Sequence, residues 1–279
     1  MTTTLITGGT GRTGRRIADR LRVRGLDVRI ASRSARLPFD WYDPAGWPTA
    51  LDGCTAAYLC FSPDLALPGA DRIIASFTAQ ALRHGVRRFV LLSGRGEEGA
   101  RRCEDLVLAA SAEATVVRCA WFQENFSEHF LRDGVLADRV AMPAGRAAEP
   151  FVGLGDVADV AAAALADGRW AGRVLELTGP ESITFGQAAD LLSAALGREI
   201  AYHDVTVAEF MDGLTAAGAT PEEAQGLGWL VEQVLDGRNS STTDTIERVL
   251  GRPATTFAQY ARRAAAAGAW TADLTADRR

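Results

Sequence analysis

Apolar runs alternate with helical patterns along the first 180 residues of the chain. The apolar runs predict strands at 5–7, 28–31, 39–42, 56–61, 89–93, 114–120 and 174–178. The segments between them predict helices at 12–24, 43–51, 69–84 and 103–112, a helix N-capped by Asp156, and a loop over the Arg- and Gly-rich residues 94–102. Strands that alternate with helices are typical of a parallel sheet covered on both faces. The pattern therefore predicts an α/β fold with a doubly wound parallel sheet.

After about residue 180 the pattern becomes mainly helical. Three segments resemble capping boxes, at Thr184–Gln187, Thr220–Glu223 and Thr256–Gln259. We therefore predict a sheet domain formed by residues 1–130 and 151–180. Residues 131–150 and 181–279 are predicted to form a smaller, mainly helical lobe that covers the substrate at the carboxyl edge of the sheet.

A glycine-rich turn follows the first predicted strand and precedes the first helix. It contains Gly8, Gly11 and Gly14, and Gly9 adds a second register, so that both G-x-x-G-x-x-G and G-x-G-x-x-G match. Such a turn lets the backbone approach a pyrophosphate and directs it to a helix N-terminus. The turn predicts a Rossmann dinucleotide site made by Gly8, Thr10, Gly11, Arg12, Thr13 and Gly14. The alternative is a plain tight turn.

The tip of the second predicted strand indicates which nucleotide is bound. An acidic residue there bonds the ribose 2′-hydroxyl of NAD, whereas an arginine accommodates the 2′-phosphate of NADP. This chain has Ser32 and Arg33 at the tip and no acid, which favours NADP(H). The alternative for Arg33 is a solvated strand end. Asp40 lies beside the adenine or is an ordinary loop acid.

Further candidate residues follow the later strands. Phe61, Ser62 and Pro63 come where the chain should turn over the cofactor, and Ser93 ends the fifth predicted strand. The sixth is followed by an aromatic stretch with Trp121, Phe122, Asn125 and Phe126. These aromatic side chains either fill the core or form the wall of a pocket for a flat substrate. Ser93, Asn125 and His129 are the candidate catalytic groups. His129 could equally cap a surface turn.

The amino-acid composition limits which partners, metals and catalytic residues the chain can have. The chain has 279 residues, of which 47% are hydrophobic, and a net charge of −5, so neither a nucleic-acid nor a membrane partner is expected. The four cysteines show no metal-site spacing, so no metal is predicted, and the expected compartment is the cytoplasm. The chain contains 30 arginines and no lysine, which excludes a Tyr-x-x-x-Lys catalytic pair.

Together, these segments resemble the NmrA-like family of atypical short-chain dehydrogenases. The similar segments are Leu5–Gly14, Ser32-Arg33, Leu91-Leu92-Ser93, Val117–Phe126, Phe151-Val152 with Asp156-Val157-Ala158, and Leu177–Pro180. The resemblance implies that Ser32-Arg33 contacts a 2′-phosphate and that the Arg118–Phe126 run lies beside the nicotinamide. Many members carry a lysine or histidine where this chain has Ala100, Arg101 and Arg102. A side-chain proton donor is therefore not identified.

Two hypotheses of function follow. In the first, the protein is an NADPH-dependent reductase that transfers hydride to a quinone-like or conjugated aromatic carbonyl. Such an acceptor spreads the developing charge over its own π-system, so that a Tyr/Lys pair is not required. In the second, it is a catalytically inactive redox sensor that binds NADP(H) and acts through a protein partner. A homodimer is a possible assembly.

Overall fold

The structure, a computed structural model, describes residues 3–271. The chain divides into two compact units. Unit 1 comprises Met1–Ala120, Leu154–Thr178 and Thr243–Pro253, and unit 2 comprises Trp121–Gly153, Gly179–Thr242 and Ala254–Arg279. Residues 121–130, which the sequence pattern placed with the sheet, group with unit 2. Residues 1–2 and 272–279, included in the predicted domains, lie outside the described residues.

The strands and helices are short and alternate along the chain. The strands are β1 Thr3–Thr7, β2 Asp27–Ser32, β3 Leu37–Pro38, β4 Cys54–Leu59, β5 Arg88–Gly94, β6 Ala114–Cys119, β7 Arg139–Met142, β8 Ala148–Glu149, β9 Arg173–Leu177, β10 Ile183–Thr184 and β11 Ala201–Asp204. The helices are α1 Arg12–Val23, α2 Trp47–Leu51, α3 Ala70–Arg83, α4 Glu98–Ala110, α5 Asn125–Glu128, α6 Arg132–Leu136, α7 Leu154–Ala166, α8 Phe185–Leu196, α9 Val207–Ala216, α10 Pro221–Val234, α11 Thr245–Leu250 and α12 Phe257–Ala266.

Unit 1 contains a seven-stranded sheet in the order β3-β2-β1-β4-β5-β6-β9. Every neighbouring pair in it is parallel. The central strands are mostly buried, as expected for a sheet covered on both faces. The predicted α/β fold with a Rossmann doubly wound sheet is confirmed. The strand order reverses between β1 and β4, which is the switch point where such sheets bind ligands.

The third strand differs from its prediction at 39–42. It is the two-residue β3, paired with the end of β2, and Pro38 lacks the N–H that would continue the ladder. The aromatic residues that follow pack as a loop. Phe39 and Trp41 are buried against Phe77, with ring centroids 5.7 and 4.9 Å from it. Burial of an aromatic run therefore did not require a strand.

The helices α4 and α7 also differ from their predictions. α4 begins at Glu98, inside the segment 94–102 that was expected to be a loop. Gly99 lies so close to the chain at Ala66 that a Cβ would be 2.9 Å from the Ala66 Cα, so this glycine serves helix packing. α7 begins at Leu154, which places Asp156 in the first turn and not at the N-cap. There it is buried and ion-paired with Arg252 at 2.7 Å.

Unit 2 is mainly helical, with two small sheets, β7–β11 parallel and β8–β10 antiparallel. The predicted capping boxes at Thr184, Thr220 and Thr256 are confirmed, and Thr206 with Glu209 forms a fourth. The core contains Phe126, Phe151, Phe185 and Phe257, which contact one another edge to face or tilted. This aromatic cluster explains why residues 121–130 belong to unit 2.

Over residues 3–271, every helix is too short or too polar to cross a lipid bilayer.

Candidate functional site

The carboxyl ends of β1 and β4 lie side by side in unit 1. Thr7, the last residue of β1, joins them: its hydroxyl donates to the Tyr58 carbonyl at 2.9 Å and accepts from the Cys60 N–H at 2.9 Å. Thr7 is fully buried. The side chain therefore fixes the spacing of the two strands at the switch point. The sequence signal for it was weak, because a single threonine in an apolar run is common.

The glycine turn leaves β1 at this switch point. Gly8 has a φ of +61°, and the Gly11 N–H donates to the Gly8 carbonyl at 2.9 Å. A Cβ on Gly14 would be 2.8 Å from the Gly9 Cα and would overlap with the Gly8 carbonyl. α1 therefore starts in direct contact with the turn, which only a glycine at position 14 permits. The structure brings these glycines together as the sequence predicted.

The N-terminus of α1 suits a negatively charged group. Gly11 is the N-cap, so no side chain caps the helix, and its first turn contains no acidic residue. The first N–H groups of a helix have no partner within the helix and carry partial positive charge. Arg12 is in this turn and half-buried, and the buried Thr13 donates its hydroxyl to the Cys60 sulfur at 3.9 Å. The residues present fit a dinucleotide pyrophosphate.

A cluster of hydroxyl groups lies at the tip of β2. The Thr10 Oγ1 is 2.9 Å from the Ser32 Oγ and 3.2 Å from the Ser34 Oγ. Ser32 is buried, whereas Arg33 and Ser34 are exposed beside it. The turn and the strand tip are thus one surface, which carries hydroxyls and a guanidinium and lacks an acid. Ser34 was missed by sequence reasoning.

Asp40 is an exposed residue of the loop that follows β3. Its carboxylate accepts the Tyr42 N–H at 2.9 Å, and its carbonyl accepts the Trp47 indole N–H at 2.9 Å. These contacts give Asp40 a role in the loop itself, which agrees with its interpretation as an ordinary loop acid. A contact with adenine stays a prediction.

The loop after β4 forms the other side of the switch point. Phe61 is buried with its ring centroid 5.2 Å from that of Trp41, and Ser62 and Pro63 are exposed and joined by a cis peptide bond. The Cys60 carbonyl accepts the Trp41 indole N–H at 3.0 Å. The predicted turn is therefore present. Of these three residues, Phe61 is buried, whereas Ser62 and Pro63 are exposed to solvent.

Ser93, at the carboxyl end of β5, is already engaged with another side chain. Its hydroxyl donates to the Glu104 Oε1 at 2.6 Å, and both residues are buried. Arg118 binds both oxygens of Glu104 and reaches Glu176 at 3.1 Å, and Arg95 contacts Glu176 at 2.9 Å. The hydroxyl has one proton, which the Glu104 carboxylate accepts. Ser93 therefore does not donate to a substrate in this arrangement, and only its oxygen lone pairs remain for a ligand.

Two acidic residues that sequence reasoning missed lie at the same edge of the sheet. Asp64 follows β4, and Glu97 follows β5 and precedes α4. Burial, together with the negative charges of Asp64 and Glu104, raises the pKa of Glu97 to about 8. Burial also raises the pKa of Asp64, while the hydrogen bond from the Ala66 N–H lowers it. The available signal was an acid in the loop after each of two neighbouring parallel strands.

The thiols near the site are protonated. Burial raises the pKa of Cys60 and of Cys119, and it raises the pKa of Cys103 to about 12. A thiolate is the reactive form of cysteine, so these residues are not nucleophiles here.

The remaining candidates lie in unit 2. Phe126 is fully buried in the aromatic core. It therefore fills the core and does not form the wall of a pocket. Trp121 and Phe122 are half-buried, and the Trp121 ring lies 6.3 Å from that of Phe185. Asn125 is buried, and His129 is exposed at the C-terminal end of α5 with its ring 5.3 Å from that of Phe130. A contact of these residues with a substrate stays a prediction.

Known proteins are similar to this chain in sequence and in fold. The chain is 30% identical over 278 residues to the uncharacterized oxidoreductase YesF of Bacillus subtilis (strain 168), with 96% of each chain covered. It is 33% identical over 249 residues to agroclavine dehydrogenase of Claviceps purpurea (strain 20.1), covering 80% of this chain and 83% of the relative. No family model matches the chain.

Solved structures of the same fold are less similar in sequence. Triphenylmethane reductase of Citrobacter sp., complexed with NADP(H), matches with a TM-score of 0.77 at 18% identity, over 94% of this chain and 99% of the other. The quinone oxidoreductase QOR2 of Escherichia coli, complexed with NADPH, matches with a TM-score of 0.76 at 20% identity over 93% and 99%. Nmra, a negative transcriptional regulator, matches with a TM-score of 0.70 at 16% identity over 94% of each chain. The chain belongs to the NmrA-like family of atypical short-chain dehydrogenases and reductases, and it is an oxidoreductase.

Proposed function

We propose that the protein is an NADPH-dependent reductase that transfers hydride to a quinone-like or conjugated aromatic carbonyl. The observation that carries the proposal is the glycine turn at the switch point, where Gly14 brings α1 into contact with Gly8 and Gly9. In a doubly wound sheet the pyrophosphate binds at this position, with one nucleotide on each side. Gly8, Thr10, Gly11, Arg12, Thr13 and Gly14 would hold it.

The surface at the tip of β2 supports NADP(H) over NAD(H). A 2′-phosphate would meet the hydroxyls of Thr10, Ser32 and Ser34 and the guanidinium of Arg33. A phosphate accepts hydrogen bonds from hydroxyls and pairs with arginine, whereas the 2′-hydroxyl of NAD would find no acidic acceptor there. The structures of Citrobacter triphenylmethane reductase with NADP(H) and of QOR2 with NADPH, which share the fold, agree with this proposal.

The nicotinamide half of the site would lie over the carboxyl ends of β4, β5 and β6. When bound there, the dihydronicotinamide ring of NADPH would supply a hydride. Phe61, Ser62 and Pro63 would border it on the β4 side, and Ser93 would accept a hydrogen bond from its amide. The Ser93 oxygen is suited to accept because its own proton is donated to Glu104.

The nature of the hydride acceptor follows from what the chain lacks. Without lysine there is no Tyr-x-x-x-Lys pair to stabilise the alkoxide that a simple ketone would form. A conjugated acceptor delocalises the same charge internally, so orientation can supply much of the rate. The names of QOR2 and triphenylmethane reductase, which specify conjugated acceptors, support this class of substrate.

The test combines binding with turnover. NADPH and NADH binding are measured by fluorescence, and NADPH oxidation is then followed with neutral quinones, conjugated enones and simple aliphatic ketones. We expect NADPH to bind more tightly than NADH and turnover with quinones but not with aliphatic ketones. Tight NADPH binding without turnover of any acceptor would overturn the reductase and favour the redox sensor, an alternative that the shared fold of Nmra supports.

A further inference from the structure

Asp64 and Glu97 lie over the nicotinamide half of the proposed site. Asp64 is five residues beyond the last residue of β4, and Glu97 is three beyond the last residue of β5; these strands are direct neighbours in the sheet. In parallel sheets the carboxyl ends of neighbouring strands form the ligand-binding edge. The two acids therefore occupy the part of unit 1 where hydride transfer would occur.

Gly94 and Gly99 permit this placement because they have no side chain, and not because of a positive φ. A Cβ on Gly94 would be 2.5 Å from the Glu97 Oε2 and would overlap with its Oε1, so the carboxyl group lies directly over the end of β5. A Cβ on Gly99 would be 2.9 Å from the Ala66 Cα, so the first turn of α4 contacts the turn that contains Asp64. The Asp64 Oδ1 accepts the Ala66 N–H at 2.8 Å, which fixes that acid. The close approach of two backbones thus brings Glu97 to Asp64.

The charged and titratable groups around Glu97 disfavour its ionised form. Asp64 faces it from the loop after β4, Glu104 from α4, and the Cys119 thiol from the end of β6. Arg95, the nearest arginine in sequence, is engaged with Glu176 at 2.9 Å, and Arg118 is engaged with Glu104 and Glu176. A carboxyl in such surroundings holds its proton at neutral pH.

We propose that Glu97 is the proton donor of the reductase and that Asp64 is a positioning residue that keeps this proton on Glu97. The inference rests on the proposed function, because it assigns a role in the reduction of a neutral conjugated carbonyl. It also explains how a chain without a Tyr/Lys pair protonates its product. Ser93 is not the donor, since its proton is committed to Glu104.

The step balances in atoms and electrons. The quinone gains one hydride, with its two electrons, from NADPH at one of its two oxygens, so that the negative charge appears on the other oxygen, which is the proton acceptor. The O–H bond of the Glu97 carboxylic acid breaks, and its proton forms an O–H bond with the acceptor oxygen. Glu97 is left as a carboxylate, which takes a proton from water before the next turnover. The sum is NADPH, one proton and a quinone giving NADP⁺ and a hydroquinone.

The test compares two acceptors that differ in their need for a proton. A neutral naphthoquinone needs one proton per hydride, whereas a cationic triarylmethane dye becomes neutral by hydride addition alone. For Glu97→Gln we expect the ratio of kcat for the quinone to kcat for the dye to fall about 10²-fold or more. Glu98→Gln, on the adjacent exposed residue, should leave that ratio unchanged. Asp64→Asn should shift the loss of quinone reduction at high pH to lower pH.

A second measurement reports on Glu97 without turnover. In the protein without cofactor, the infrared carbonyl band of a protonated carboxylic acid should titrate at pH about 8, be absent in Glu97→Gln and be present in Glu98→Gln. Equal losses with both acceptors, or a missing band in the wild type, would overturn the proton-donor proposal while turnover persists. If the wild type reduces neither acceptor, the proposed function fails, and the donor role fails with it whatever the infrared band shows.

Discussion

Ser93 donates its hydroxyl proton to the Glu104 carboxylate across 2.6 Å, in a part of unit 1 where both residues are buried. The serine at the end of β5 is therefore bonded to the buried carboxylate of an ionic network and is not an independent acid. Arg118 supplies the countercharge, and Glu176 and Arg95 continue the network toward β9 and the loop after β5. Four predictions follow from this network and from the site beside it.

Removing the countercharge of Glu104 should destabilise the protein strongly. The Glu104 side chain is 2% exposed, so Arg118→Met would leave a buried carboxylate without its ion pair. We expect the free energy of unfolding in urea to fall by about 3–5 kcal/mol. Arg102→Met removes an exposed ion pair with Glu98 and should change it by less than about 1 kcal/mol. Equal losses of unfolding free energy for the two substitutions would contradict a stabilising role of the Glu104–Arg118 ion pair.

Gly14→Ala should weaken NADPH binding in a protein that still folds. The new Cβ would overlap with the Gly8 carbonyl and lie 2.8 Å from the Gly9 Cα, so the turn must move away from α1. We expect NADPH affinity, measured by fluorescence titration, to fall at least about tenfold, which corresponds to about 1.4 kcal/mol. Gly213→Ala is the matched control, since a Cβ there has no atom within 4 Å among the described residues. The control should bind normally and gain up to about 1 kcal/mol in stability from helix propensity.

Arg33→Ala should reduce the preference for NADPH over NADH. Arg33 lies beside the Thr10–Ser32 pair, and a 2′-phosphate there would lose its cation while the 2′-hydroxyl of NADH would lose nothing. We expect the dissociation constant for NADPH to rise about tenfold and that for NADH to stay within about twofold. Arg83→Ala, at the end of α3, removes one positive charge elsewhere and serves as control. An equal weakening of both cofactors would show that Arg33 contacts some other part of the nucleotide.

Glu97 should make the protein less stable as the pH rises. Its pKa is raised from 4.5 to about 8 by burial and by the neighbouring Asp64 and Glu104, so the folded state binds its proton more tightly than the unfolded chain does. The resulting stabilisation is fully present below pH about 4.5 and is lost as the pH rises through about 8. Urea unfolding across this range should show a smaller decline for Glu97→Gln than for the wild type.

Glu98→Gln provides the control for the pH dependence. Glu98 is an exposed residue in the first turn of α4, so its removal should leave the decline in unfolding free energy unchanged. If Glu97→Gln declined as steeply as the wild type, the pH dependence would belong to other groups.

The amino-acid sequence by itself determined the parallel sheet, the glycine turn and the capping boxes. Each is a local pattern. A strand buried on both faces is mostly apolar, the contact of Gly14 with Gly8 and Gly9 lies within seven residues, and a capping box spans four. The same locality explains the failures. The aromatic residues Phe39 and Trp41 are buried although they lie in a loop and not in a strand. A glycine usually indicates a loop, but Gly99 lies in α4 and allows that helix to pack closely.

Only the tertiary structure decided which polar residues meet. Ser93 is paired with Glu104 because α4 packs on β5, and Asp64 meets Glu97 because β4 and β5 are neighbours and two glycines let the backbones approach. Phe126 belongs to the aromatic core of unit 2 because Phe151, Phe185 and Phe257, distant in sequence, surround it. The energy of a buried carboxylate depends on the charges around it, and those charges come from separate elements of the chain. The fold could therefore be predicted from periodicity, whereas the protonation state of the site could not.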